Sequence, residues 1–290
     1  MKIAIASGKG GTGKTFVSTN LYDTFSRMGL STGLIDCDAE APNSFLFFTS
    51  KKVKEVPVVE YRPILDLSKC VFCGKCAEYC HYNALLFVGK IKKLKFLESL
   101  CHGCGACSFA CDFSAIEDSY ATIGKITFYE PDRKENILLE TQIIPGVSSP
   151  VPVIKEAFKL ISEESIEYLL LDSPPGTSCP FIQTVVHADY VVLVTEPTPF
   201  GLSDLKQAVN TLRVLNKKIG VVLNRSDIGD KAVYDYLAKE SIPLLAEIPF
   251  EKEIAQLYSN GKIAVQKMKT LQVVFENLAQ TIINHGNSCN

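Results

Sequence analysis

The fold class predicted from the sequence is a mostly parallel, doubly wound α/β sheet interrupted by a small α+β module. Three observations predict it. Runs such as Tyr168–Asp172, Tyr190–Thr195 and 219–224 are apolar up to a polar last residue, as strands buried on both faces must be along their length. Between them lie stretches with apolar residues at helical spacing, for example Leu205, Ala208, Val209, Leu212 and Leu215. Helices alternating with such strands cover a parallel sheet on two sides. The third observation is a cysteine-rich segment of different character, flanked on both sides by this pattern. The predicted organisation is a first part of the α/β domain over 1–56, an inserted module over 57–117 and the second part over 118–290.

The elements follow in order. Ile3-Ala4-Ile5-Ala6 is a short apolar strand. A glycine-rich loop comes next, and then Val17, Leu21, Phe25 and Met28 recur at helical spacing. Gly29 closes that helix, and Gly33-Leu34-Ile35-Asp36 reads as a second strand ending in a carboxylate. Pro57 and Pro63 mark a linker into the module. Near the end, Leu271, Val274, Phe275, Leu278 and Ile282 form an apolar stripe. Its opposite face carries little charge, which predicts packing on the core rather than a membrane-surface helix.

Of the 290 residues, 47% are hydrophobic and 21% charged, which suits a soluble globular chain with a sizeable core. A formal net charge of −2 gives no general affinity for nucleic acid. No run approaches the roughly 18 apolar residues of a membrane-spanning helix, so no membrane anchor is expected. Met1 to Ser7 lacks the apolar stretch and cleavage site of a secretory signal, which predicts a cytoplasmic protein. Eleven cysteines in such a chain point to metal binding more than to disulfides.

Gly8-Lys9-Gly10-Gly11-Thr12-Gly13-Lys14-Thr15 satisfies GxxxxGK[ST] between a strand and a helix. Small residues let backbone N–H groups curl around phosphate oxygens, and the helix adds its positive end. Lys14 is expected to reach the β- and γ-phosphates of ATP, and Thr15 to place its hydroxyl on Mg²⁺. Lys9 is a second lysine at the start of the loop. With it, the loop resembles that of the deviant Walker A ATPases, the class of MinD, ParA, Mrp-type carriers and the nitrogenase iron protein. That resemblance implies that Lys9 contacts nucleotide held by the partner subunit of a face-to-face dimer. A solvated loop lysine is the plain alternative.

Two further segments carry the resemblance. Asp36-Cys37-Asp38-Ala39-Glu40-Ala41-Pro42-Asn43 is similar to the family's DxDxxxxN segment. By that similarity Asp38 orients the attacking water and Asp36 supports Mg²⁺. Leu171-Asp172-Ser173-Pro174-Pro175-Gly176 is similar to its Walker B motif and second switch. Asp172 would then act on Mg²⁺ and Gly176 would sense the γ-phosphate. Asn224, at a strand end, matches the family's adenine-reading asparagine, and Pro249-Phe250 resembles its base-flanking loop. Each could also be an ordinary turn residue.

Eight of the eleven cysteines lie between 57 and 117 as CxxCxxCxxxC repeated at an offset of 31. A triplet CxxCxxC converges three thiolates from one loop, whereas zinc sites use CxxC pairs. The segment resembles a bacterial two-cluster ferredoxin, in which the fourth cysteine of each run serves the other cluster. The resemblance assigns Cys70, Cys73, Cys76 and Cys111 to one [4Fe–4S] cluster and Cys101, Cys104, Cys107 and Cys80 to the second. Where ferredoxins end each run Cys-Pro, His81 and Asp112 stand here. Lys90, Lys92, Lys93 and Lys95 form a basic run that could dock an acidic redox partner or be a solvated hairpin. Of the other cysteines, Cys37 and Cys179 are expected to be packed, unligated thiols, and Cys289 lies near the end of the chain.

A P-loop ATPase interrupted by a two-cluster ferredoxin-like module resembles MinD-superfamily ATPases with such an insertion. The resemblance implies ATP hydrolysis, with ATP/ADP, Mg²⁺ and two clusters as cofactors. It also implies a homodimer or a heterodimer with a similar ATPase, acting on a redox or metallocofactor partner protein. The function expected is coupling of nucleotide state to electron transfer or to iron–sulfur or metal-cofactor assembly. The alternatives are a MinD- or ParA-like spatial regulator with redox-sensing clusters, and an Mrp-like cluster carrier.

Overall fold

The computed structural model describes residues 1–162 and 164–287. Side-chain alternation sets its layers. In β1 (Lys2–Ala6), Ile3 and Ile5 face one side of the sheet and Ala4 and Ala6 the other, all fully buried. A strand sends successive side chains to opposite faces, so both faces need cover. On the isoleucine side pack α1 (Lys14–Arg27) and α9 (Lys269–Asn287). Leu271, Phe275, Leu278 and Ile282 of the predicted stripe are fully or almost fully buried there, so α9 packs on the core as expected. On the other side pack α4 (Val151–Leu160), α5 (Cys179–Val185), α6 (Pro199–Val214) and α7 (Ala232–Lys239).

The other strands of the large sheet are β2 (Thr32–Asp36), β3 (Lys52–Leu65), β6 (Ile116–Tyr129), β7 (Ile137–Ile143), β8 (Tyr168–Asp172), β9 (Tyr190–Thr195), β10 (Lys218–Asn224) and β11 (Leu244–Ile248). Among the described residues the order is β11-β10-β9-β1-β8-β2-β7-β6-β3. Pairing is parallel from β11 to β7, and antiparallel where β6 meets β7 and β3 meets β6. The sheet is thus mostly parallel and doubly covered. Helix α8 (Lys252–Ser259) lies between β11 and α9 in the chain.

The segment with Pro57 and Pro63, expected as a linker, is part of β3. This strand is at the sheet edge, where a missing N–H removes no ladder bond on the open side. Pairing of β6 with β7 covers only Gly124–Tyr129 of β6; its earlier residues pair with β3 alone. Those eight residues, Ile116 to Ile123, make a two-stranded ribbon of about 26 Å at ~3.3 Å per residue. Residues 66–115 sit at its end.

That segment contains α2 (Lys75–Glu78), the hairpin of β4 (Leu85–Val88) and β5 (Lys93–Phe96), and α3 (Ala106–Phe109). Its backbone repeats at the offset of the cysteines. Positive φ recurs at Phe72 (57°) and Gly103 (63°), at Gly74 (83°) and Gly105 (71°), and at Asn83 (53°) and Ser114 (50°). A Cβ on Gly74 would stand 2.6 Å from the Phe87 ring, so glycine is needed there for space as well as for φ. The lysines at 90, 92, 93 and 95 are exposed on the hairpin.

Candidate nucleotide cleft and cysteine pockets

The loop between β1 and α1 wraps the start of the helix. Gly11 and Gly13 have φ of 80° and 100°, a conformation that side chains disfavour. A Cβ on Gly10 or Gly11 would meet nothing within 4 Å, so these backbones border open space. Thr12 Oγ1 is buried with no hydrogen-bond partner. Open N–H-bearing backbone and an orphaned hydroxyl at a helix N-terminus fit a phosphate ligand. Gly8 is tight for another reason: a Cβ there would lie 2.2 Å from the Asp204 carbonyl oxygen of α6. Lys9 is half-buried at the start of the loop.

Behind the loop, adjacent strands place Asp36 and Asp172 opposite each other in register. Asp36 is fully buried and Asp172 nearly so. Asp36 accepts from the backbone N–H of Asp38 (3.0 Å), Asn43 (2.9 Å) and Ser44 (2.9 Å). Asp172 accepts from the hydroxyls of Ser18 (3.0 Å) and Ser44 (2.9 Å). Burial pushes the Asp36 carboxyl above its usual range, and the Asp172 charge adds to the rise. Burial also pushes Asp172 up, against the pull of Lys14 and the hydroxyls. Burial lowers the Lys14 pKa, opposed by Asp172, Asp38 and Asp36. Two buried acids facing one desolvated lysine form a donor set short of positive charge, which fits a divalent cation. Asp38 is half-buried and its carboxyl is also raised by burial. Gly176 has φ 85°, and its N–H donates to the Ser7 carbonyl at 3.1 Å, tying this turn to the loop.

Gly10, Gly11, Gly13, Lys14, Thr15 and Asp38 line a cleft of about 360 Å³, within the range of small-molecule sites. The same cleft brings in Asn224, Pro249 and Phe250. The Asn224 amide donates to the Thr12 carbonyl at 2.8 Å and its oxygen accepts from the Arg225 N–H at 3.1 Å. The Phe250 N–H donates to Asp227 Oδ1 at 2.6 Å, and its ring is half-exposed. Asp36, Asp172 and Gly176 are not in the lining; the two acids lie beneath the floor.

The eight clustered cysteines divide between two pockets. Cys70, Cys73, Cys76 and Cys111 line one, with Leu65, Phe72, Phe87 and Ile116. Cys80, Cys101, Cys104 and Cys107 line the other, with Tyr61, Tyr82 and His102. Each pocket takes three thiols from one run and the fourth from the other. Backbone N–H groups point at sulfur from Phe72 to Cys70 (3.4 Å), Ala84 to Cys80 (3.3 Å) and Ala115 to Cys111 (3.4 Å). All ten cysteines among the described residues are free thiols. Among the same residues no three His, Cys, Asp or Glu converge to hold a single metal ion. Thiolates that each bind a different iron of a cluster need no such common point. Four sulfurs around an apolar pocket, with amides aimed at them, fit a cluster.

Residues 3–265 match the CobQ/CobB/MinD/ParA nucleotide binding domain family. The chain belongs to this family. Among its relatives, the uncharacterized protein MJ0579 of Methanocaldococcus jannaschii is 34% identical over 98% of both chains. An iron-sulfur cluster carrier protein of Pyrococcus horikoshii is 22% identical over 98% of this chain and 85% of that one. The septum site-determining protein MinD of Pyrococcus horikoshii, solved with Mg-ADP, superposes with a TM-score of 0.60 at 20% identity. The match covers 97% of this chain and 95% of that one. The mostly parallel α/β fold and the P-loop superfamily are thus those expected. No helix among the described residues is long and apolar enough to cross a membrane.

Several residues in and beneath this family member's cleft are not evident from sequence. Ser44 bridges the two acids, its N–H on Asp36 and its hydroxyl on Asp172. Ile254, Ala255 and Tyr258 of α8 form one wall of the cleft, and no local motif marks them. Cys37 is fully buried, as expected. Cys179 is exposed, contrary to expectation. It begins α5, whose inward face is formed by Phe181, Thr184 and Val185. Cys289 lies outside the described residues.

Proposed function

We propose that the chain binds ATP with Mg²⁺ in the P-loop cleft, hydrolyses it as a dimer, and carries two [4Fe–4S] clusters in a ferredoxin-like insertion. Nucleotide state would govern electron transfer, or iron–sulfur or metal-cofactor assembly, on a partner protein. The observation that carries this reading is the crossed division of eight cysteines into two pockets within a P-loop fold.

In this reading Lys14 neutralises the β/γ-phosphates, and the loop amides of 10–13 hold their oxygens. Thr15 would hold Mg²⁺ directly, with Asp36 and Asp172 behind it; the ion would supply charge neutralisation on the phosphates. Asp38 orients the water that attacks the γ-phosphorus. Gly176 reads the γ-phosphate by exchanging its bond to Ser7, and Lys9 reaches toward nucleotide on the partner subunit. Asn224 keeps one amide N–H beyond its bond to Thr12, enough to read a base, with Pro249 and Phe250 flanking it. The clusters would be held by Cys70, Cys73, Cys76 and Cys111 and by Cys80, Cys101, Cys104 and Cys107, and would supply one-electron storage.

A hydrogen-bonded route joins the two halves. The Ala39 carbonyl accepts from the Ile143 N–H at 2.9 Å, and the Asp36 carbonyl from the Thr141 hydroxyl at 2.7 Å. Both donors are on β7, which pairs with β6, the strand that runs out to the cysteines. Metal analysis tests the cluster half. Native protein purified without oxygen should contain about eight iron and eight labile sulfide per chain. Stoichiometric zinc without sulfide would overturn it.

A further inference from the structure

The two cysteine pockets stand at different distances from the nucleotide domain. Tyr61 and Pro63 of the ribbon line the pocket of Cys80, Cys101, Cys104 and Cys107. Leu65 and its register partner Ile116, at the ribbon's end, line the other. Four residues separate Tyr61 from Leu65, about 13 Å along a strand. The pocket of Cys70, Cys73, Cys76 and Cys111 is therefore the outer one.

The hairpin of β4 and β5 runs in the same direction. Leu85 and Phe96 at its base line the inner pocket, and Phe87 and Leu94 toward its tip line the outer one. The tip packs on the turn that follows Cys73: a Cβ on Gly74 would stand 2.6 Å from the Phe87 ring, and Cys73 itself is exposed. Side chains alternate along a strand. The other face of the hairpin therefore holds Leu86 beside Lys95 and Val88 beside Lys93, all four exposed. The turn adds Lys90, Ile91 and Lys92, also exposed.

Charge on this face is unbalanced. Among the described residues no ion pair reaches Lys90, Lys92, Lys93 or Lys95. The acids of the module are engaged elsewhere. Asp66 and Glu117 pair with Lys69 at 3.0 and 3.2 Å, Asp112 pairs with Lys75, and Glu98 lies 4.0 Å from Arg62 Nε. Of the acids in 66–117, Glu78 alone is outside these pairs, which leaves four cations against one acid. The fold does not require them: the hairpin is held by its inner face, and like charges on one sheet face disfavour each other. Exposed aliphatic side chains edged by unpaired cations have the make-up of a docking surface, an apolar centre with a polar rim.

We infer that the uncovered hairpin face and the exposed turn of Cys73 form one docking surface for an acidic electron-carrier protein, at the end of the module far from the nucleotide. The inference rests on the proposed presence of clusters, and it names the chemistry of the partner and the site it meets. The lysines attract and orient the carrier through its carboxylates, and a carrier seated there lies against the outer cysteine site. The exchange is of one electron, lost by the carrier and gained by the outer site or the reverse, with no bond made or broken. An anionic lipid surface would satisfy the lysines but leave the adjacent cysteine turn without a role.

The test is binding of an acidic plant-type [2Fe–2S] ferredoxin to the anaerobically purified full-length protein, read by calorimetry at low and at high ionic strength. The variant Lys90→Gln/Lys92→Gln/Lys93→Gln/Lys95→Gln should raise Kd about tenfold at low salt and much less at high salt. The variant Lys155→Gln/Lys239→Gln/Lys267→Gln/Lys269→Gln removes the same charge from exposed positions of the nucleotide domain, and should bind like wild type. Equal iron and sulfide contents in the three proteins show that the module is intact. Ferredoxin should also slow amide hydrogen exchange over 70–76 and 86–95. An unchanged Kd in the hairpin variant, equal weakening in both variants, or protection confined to the nucleotide domain would overturn the inference with clusters present. So would a wild type that ignores ferredoxin, or one whose hairpin lysines drive sedimentation with phosphatidylserine vesicles instead. Wild-type protein without iron and sulfide would remove the cluster reading, and the inference with it.

Discussion

Asp172→Asn should make the protein more stable without nucleotide and less responsive to it. Asp172 and Asp36 are buried side by side on adjacent strands, with Lys14 as the cation acting on both. At the ~4.8 Å spacing of adjacent strands two full negative charges would repel by about 3 kcal/mol at an effective dielectric of ~20, and the Asp36 carboxyl, pushed up to about 8, relieves part of that repulsion by holding a proton near neutral pH. Losing the Asp172–Lys14 attraction offsets part of that gain, so the net stabilisation should be about 1–3 kcal/mol. The amide fits the site. Its nitrogen can donate to Ser18 Oγ while the Ser18 hydroxyl turns to the Lys14 carbonyl, already 3.0 Å away. Equilibrium denaturation in chelator, at equal cluster loading, reads the difference; it corresponds to roughly 2–6 °C in Tm for a chain of this size. The effect has a pH sign. Both acids have raised pKa values in the fold, so the folded state binds more protons. Wild-type stability without Mg²⁺ should then fall as pH rises above the unfolded carboxylate value near 4, and the variant should lose less. Magnesium-ADP at 100 times its Kd adds about 2.7 kcal/mol to a binding protein; the variant should keep little of this at the same concentration. A variant less stable than wild type in chelator, or one with the full nucleotide gain, would refute the reasoning.

Lys14→Ala should abolish nucleotide binding by calorimetry, since the phosphates lose their fixed cation. Asp38→Ala should bind nucleotide but not turn it over, and unchanged turnover would remove Asp38 from catalysis. Gly8→Ala forces a methyl to 2.2 Å from the Asp204 carbonyl. It should cost about 1–3 kcal/mol in denaturation with the fold intact, and a neutral effect would mean that the loop and α6 separate freely.

What was legible in the sequence was local. Apolar runs and helical spacing marked the central strands and α9 because each element buries a continuous face. The loop glycines and the two cysteine runs were legible because both stand at fixed short spacings in the sequence. The ribbon was not, since proline argues against a strand until the strand is known to be at an edge. Met28 keeps the helical period but is 40% exposed, because α1 ends at Arg27. Ser18, Ser44 and Tyr258 belong to the nucleotide site through tertiary packing between segments far apart in the chain. No spacing rule reaches them.

The central claim is that nucleotide and clusters are linked through the β2–β7–β6 route. Its most direct test is the midpoint potential of each cluster in nucleotide-free, ADP-bound and non-hydrolysable-ATP-bound protein. A coupling of ~1–3 kcal/mol, the usual size for linked sites, predicts a clear shift of at least one potential on ATP-analogue binding. Reduction should then change analogue affinity by the same free energy. Identical potentials in all three states would contradict the account.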